Sequence, residues 1–174
     1  MSFFKKNPRV DIKPSHIDQK LHRAGWMVVA FNTVLVLAVY MDLPETIPTH
    51  FNFQGEVDGY GHKSTLWVIP ILSAVLHLFM GLVVMKLKPW LMNYPVKVTE
   101  ENAPKLYPLA LRMLAVMNFC FVVGFLITTG IILLKLKGWV DTLEVKLLIA
   151  LWVFNGLLPL YYVYKMVVVA RKEV

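Results

Sequence analysis

The sequence predicts an all-α integral membrane protein: four transmembrane helices in one bundle, with a structured extracytoplasmic loop between helices 1 and 2. Three observations carry this expectation. Hydrophobic residues make up 57% of the 174-residue chain and mean hydropathy is +0.59, the balance of a lipid-embedded chain. The apolar residues fall in four uncharged blocks, 24–41, 64–85, 113–134 and 147–164. Each is close to the ~20 residues that cross ~30 Å of hydrocarbon at ~1.5 Å per residue. Between the first two blocks lies a polar segment punctuated by Pro and Gly, LPETIPTHFNFQGEVDGYGHK from Leu43 to Lys63. It is several times longer than a minimal link between neighbouring helices. Spans and links use up nearly the whole chain, so residues 1–174 are expected to form a single four-helix membrane domain.

Residues 1–23 form a basic tail carrying Lys5, Lys6, Arg9, Lys13, Lys20 and Arg23. The first block, 24–41, reads as an uncleaved helix, being longer than a signal h-region and leading into Tyr40, Met41, Asp42 and Leu43 with no small-residue cleavage site. The outer loop, 42–63, carries a single basic residue, Lys63. The connector, 86–112, carries Lys86, Lys88, Lys97, Lys105 and Arg112, and the C-terminus adds Lys165, Arg171 and Lys172. Because Lys and Arg in short loops resist translocation, both termini are expected in the cytoplasm and the 42–63 loop outside. Lys135, Lys137 and Lys146 in the third loop run against this pattern, partly offset by Asp141 and Glu144. The net charge of +7 calls for no nucleic acid, since these cations sit at span ends where lipid phosphates meet them. The lipid bilayer is the expected partner.

In the connector, Trp90, Tyr94 and Tyr107 alternate with lysines as in a segment lying at headgroup level. Pro89, Pro95 and Pro104 oppose one continuous helix there, while Thr99 followed by Glu100 and Glu101 resembles a helix start. Arg112 is expected to snorkel to the cytoplasmic interface. Each span then carries one strong polar side chain: Asn32, His77, Asn118 and Asn155, all ~9 to 15 Å from the cytoplasmic end of their spans. They either converge on a polar site or act as interhelical hydrogen-bonding glue. His77 is the one titratable group well inside the apolar blocks. Cys120, the sole cysteine, is intramembrane, so no intramolecular disulfide braces the outer loop.

In the loop, extended alternation would set Ile47, Thr49, Phe51 and Phe53 on one face and Pro48, His50 and Asn52 on the other. Gly55, Gly59 and Gly61 supply positions free to take positive φ, and Asp58-Gly59 is a turn pair. A folded flap or short hairpin capping the bundle is expected, with His50 and Asn52 projecting together. His50, Glu56, Asp58 and His62 are weak metal-ligand candidates whose spacing matches no zinc pattern, so no metal and no cofactor is assigned. No nucleophile motif, H-E-x-x-H pattern or phosphate-binding glycine loop is present, and the chain is read as non-enzymatic.

The series Leu43-Pro44, Ile47-Pro48, His50, Asn52, Gly55, Asp58-Gly59, Gly61 and Lys63, followed by a second span, resembles the bacterial membrane domain of unknown function 1648. That domain forms the N-terminal part of SdpI-type immunity proteins, and the resemblance covers about the first 85 residues. It implies a multi-pass protein of the bacterial cytoplasmic membrane. In SdpI-type members the implied activity is protection against a secreted toxin, coupled to sequestration of a repressor at the membrane. Two classes stay open. One is a receptor or immunity-type protein in which Pro48, His50, Asn52, Gly55, Asp58, Gly61 and Lys63 meet an extracytoplasmic peptide or protein. The other is a small transporter or ion-conducting bundle using the intramembrane polar residues, which would need a homo-oligomer.

Overall fold

The computed structural model describes residues 7–52, 54, 56–139 and 142–171. Four helices long and apolar enough to cross a membrane dominate the described residues. They are α1 (His16–Val39), α2 (Val68–Lys86), α3 (Ala103–Leu136) and α4 (Thr142–Arg171), and a two-stranded sheet, β1 (Thr46–Phe51) with β2 (Val57–His62), joins α1 to α2. The protein is therefore a multi-pass membrane protein by length and composition of its helices.

Local chemistry sets the ends, which is why α1 begins well before its apolar block and α3 outruns its block at both ends. α1 begins at a capping box: the Ser15 N–H donates to Asp18 Oδ2 at 2.8 Å and the Asp18 N–H to Ser15 Oγ at 3.3 Å. α2 follows a short 3₁₀ turn, Lys63–Trp67, and stops where Leu87 turns extended ahead of Lys88-Pro89. Thr99 and Asn102 exchange backbone-to-side-chain hydrogen bonds of 2.9 and 3.3 Å, and α3 starts one residue later. Pro104 falls in its first turn, where a missing N–H costs nothing. At 34 residues α3 spans about 51 Å, well beyond the hydrocarbon thickness. Its first turns accordingly pack outside the apolar block, burying Leu106, Tyr107 and Ala110 against Val10, Ile12, Trp90, Tyr94 and Val96.

This N-terminal end is tied down. Asn7 Nδ2 donates to the carbonyls of Trp90 and Met92, the Tyr107 hydroxyl donates to the Pro8 carbonyl at 2.6 Å, and Lys88 pairs with Asp11. Burial, with Tyr107 beside it, raises the Tyr94 hydroxyl well above the ordinary tyrosine range, and it donates to the Pro89 carbonyl. Arg112 pairs with the buried Asp18 and donates to Ser15 Oγ at 2.8 Å, because the capping box has already placed an acceptor in reach.

At the other end Val36, Ile47, Leu66 and Leu133 form a buried cluster joining α1, β1, the 3₁₀ turn and α3. α1, α2 and α3 pack on one another, while α4 lies along α3.

Candidate functional site

Two candidate sites lie at different depths. The first is the hairpin. Its strands pair antiparallel, Thr46 with His62, Ile47 with Gly61, Pro48 with Tyr60, His50 with Gly59 and Phe51 with Val57, with irregular register on both sides of His50. That irregularity breaks the expected alternation: Ile47 is buried, whereas Thr49 and His50 are both exposed. Gly59 and Gly61 serve a different purpose from the one expected. Neither takes a positive φ; a Cβ at Gly59 would sit 2.8 Å from His50 Cβ, and one at Gly61 2.9 Å from Thr49 Cγ2. The glycines admit the opposing side chains. Gly55 lies outside the described residues, as does Phe53.

Three polar partnerships fix the hairpin. His50 Nδ1 lies 2.5 Å from Asp58 Oδ1 on the exposed edge. At the turn, the Glu56 N–H donates to Asn52 Oδ1 at 2.9 Å and Asn52 Nδ2 donates to Glu56 Oε2 at 3.1 Å. At the root, Glu45 receives Lys63 Nζ at 2.9 Å and lies 3.0 Å from His62 Nε2. The hydrogen bond from Lys63, helped by its charge and by His62, holds the Glu45 carboxyl below the usual range. The Lys63 ammonium also lies 5.2 Å from the Tyr40 ring centroid and its side chain is mostly buried. His50 and Asn52 thus face separate partners. Pro48 is half-buried opposite Tyr60. The four weak metal candidates divide among these partnerships: His50 with Asp58, Glu56 with Asn52, His62 with Glu45. Among the described residues no three His, Cys, Asp or Glu side chains are gathered to hold a metal.

The second site is inside the bundle. His77 and Asn118 meet: His77 Nδ1 lies 3.0 Å from Asn118 Oδ1, and Asn118 Nδ2 donates to the His77 carbonyl at 3.4 Å. His77 Nε2 faces the His22 carbonyl at 3.1 Å. The His22 ring stacks on the His77 ring, centroids 4.9 Å apart and planes 19° from parallel, while Trp26 packs edge-on against His77 at 4.8 Å. Two glycines make this possible. A Cβ on Gly25 of α1 would lie 2.2 Å from His77 Cε1, and one on Gly81 of α2 would lie 2.3 Å from His22 Cε1. Each histidine occupies the notch left by the other helix's glycine.

The expected layer of one polar residue per helix is only half assembled. Asn32 is fully buried but lies ten residues beyond His22, ~15 Å along α1, and has no protein partner. Asn155 Nδ2 donates to the Leu151 carbonyl of its own helix at 3.1 Å. His22, not Asn32, completes the His77 cluster. Reading residues 1–23 as a tail hid it, although Ser15-x-x-Asp18 is a capping signature that puts His22 inside a helix.

A membrane bundle carrying a braced hairpin is the class these elements define. Residues 27–74, which run from α1 through the hairpin into α2, match a family described as a domain of unknown function (DUF1648). The chain is also similar to an uncharacterized protein of Archaeoglobus fulgidus, 31% identical over 102 residues, which cover 56% of this chain and 54% of that protein. The chain thus spans about half the length of that curated relative. No solved structure matches. Asn32, Ser73 and the hairpin lie within the matched segment, whereas His22, His77 and Asn118 lie outside it.

Proposed function

We propose that this chain is a non-enzymatic membrane receptor of the SdpI-like kind, serving toxin immunity or signal reception through its hairpin. In this reading it sits in the cytoplasmic membrane with both termini inside, and the hairpin meets an extracytoplasmic peptide or protein. One observation carries the reading: the hairpin is a fixed surface. Ile47 is buried in the helix ends and the Glu45, His62 and Lys63 cluster pins its root, leaving His50, Asp58 and Tyr60 exposed on one rigid edge. A surface ordered before binding loses less conformational entropy when a partner docks. The basic inner end, with its strapped N-terminal segment, would pass the event on.

The buried His77 and Asn118 pair favours a second reading, a small transporter or ion-conducting bundle assembled as a homo-oligomer. One comparison separates the two. His50→Ala with Asp58→Ala, and Tyr60→Ala, are expected to abolish protection of cells against a secreted toxin while leaving the bundle folded. Loop variants that keep full protection, beside His77→Gln and Asn118→Ala variants that remove a measurable flux, would sink the receptor reading.

A further inference from the structure

Three side chains on three helices are fully buried with no protein hydrogen-bond partner: Asn32 at both amide atoms on α1, Ser73 on α2 and Thr129 on α3. All three lie on the buried stripes through which these helices pack: Gly25, Val29, Asn32 and Val36 on α1, then Pro70, Ser73 and His77 on α2, then Val122, Thr129 and Leu133 on α3. Depth follows from helical rise. Asn32 sits about one turn before Val36 and Thr129 about one turn before Leu133, and those two belong to the single cluster under the hairpin. Ser73 sits about one turn from His77 on the hairpin side. The orphan groups therefore occupy the interior between the His77 and Asn118 pair and the apolar cap.

Neighbouring hydroxyls behave differently. Thr33 and Thr128 are only partly buried, and each donates to the carbonyl one turn back, at 2.9 and 2.8 Å. That self-satisfaction is the ordinary solution for a threonine in lipid. Ser73 and Thr129 do not use it, and Asn32 has no intrahelical bond either. A buried polar group left unpaired costs roughly 1–3 kcal/mol, so three together demand a common acceptor and donor.

We propose that Asn32, Ser73 and Thr129 form an internal water-binding site within α1, α2 and α3, continuing toward His77 and Asn118. The chemistry selects water. All three groups are neutral, each can donate and accept, and together they supply the two to four partners a buried water needs. The buried carboxylate among the described residues, Asp18, is engaged by Arg112 and Ser15, so a cation would lack a counter-charge.

The test uses the full chain in lipid nanodiscs. Ser73→Cys and Thr129→Cys, each made with Cys120→Ala, are exposed to a small hydrophilic thiol reagent that attacks only hydrated thiolates, beside Val29→Cys and Val122→Cys as buried apolar controls. The polar positions are expected to react roughly tenfold faster or more than the controls. Equal rates overturn the proposal. Should the variants fail to fold, the wild-type protein suffices: in water-edited solid-state NMR the Asn32 side-chain amide is expected to gain magnetisation from water well ahead of the Val122 backbone amide. No such gain at Asn32 likewise overturns it.

Discussion

Adding one methyl group at Gly25 tests the α1–α2 packing directly. The new Cβ of Gly25→Ala would fall 2.2 Å from His77 Cε1, far inside van der Waals contact. His77 has little room to yield, because His22 stacks on one face, Trp26 packs on its edge, and both ring nitrogens face hydrogen-bond partners. Overpacking of this kind costs about 1–3 kcal/mol. Displacing the ring also forfeits the hydrogen bond its one N–H makes, about 0.6 kcal/mol in membrane interiors. Against that, Ala gains about 1 kcal/mol over Gly in helix propensity. The net is a loss of about 2 kcal/mol, or roughly 4–8 °C in Tm for a chain of this size. Gly130→Ala and Gly156→Ala are the controls, since a Cβ at either position meets nothing within 4 Å. They are expected to hold or raise Tm. Thermal unfolding in one detergent, followed by circular dichroism, reads all three. The decisive arm is a double-mutant cycle: the cost of Gly25→Ala is expected to vanish when His77 is already Ala. A Gly25→Ala protein as stable as Gly130→Ala, or a cost that persists without His77, refutes the interlock.

Ile47→Ala removes the hairpin's buried anchor and is expected to cost about 2–4 kcal/mol, read as protease cleavage within 46–62 while the helices stay protected. Asp18→Asn leaves Arg112 without its charge partner at a largely buried site, and a loss of about 3 kcal/mol is expected in the same unfolding assay, relieved by adding Arg112→Gln. The Glu45 carboxyl lies below its unfolded value, so its contribution is fully present above about pH 4.5 and fades as pH falls through the folded value. Protection factors at the hairpin root, measured against intrinsic exchange rates, are therefore expected to fall below that pH, and Glu45→Gln to remove the acid-dependent part.

Much of the fold was legible because lipid imposes a crude rule: apolar blocks of about 20 residues span it, and the four blocks at 24–41, 64–85, 113–134 and 147–164 each lie within one of the four candidate spans, two of them running into the adjoining 3₁₀ turns. Hydropathy is blind to where helices end, since a capping box such as Ser15 with Asp18 is polar and reads as tail. That hid His22 and the Asp18 carboxylate that Arg112 meets. A hairpin was expected, but Asp58-Gly59, read as a turn pair, lies within β2, and its faces were not legible, because irregular register at His50 is set by cross-strand fit and not by composition. Pairing of His77 with Asn118 depends on helix phase and depth together. Equal depth alone grouped Asn32 and Asn155 with them, whereas Asn32 meets no protein partner and Asn155 donates within its own helix.

The reciprocal seating of His22 in the Gly81 notch and His77 in the Gly25 notch restricts how this molecule can move. Sliding α1 along α2 by even one turn would drive both rings into backbone occupied by larger residues, so a piston stroke is blocked. Tilting about the stacked rings keeps both seats filled. The crossing is a fulcrum, nearer the strapped N-terminal end than the hairpin, and a rocking force applied at Ile47 would reach the Asp18 and Arg112 pair through the shorter arm of that lever.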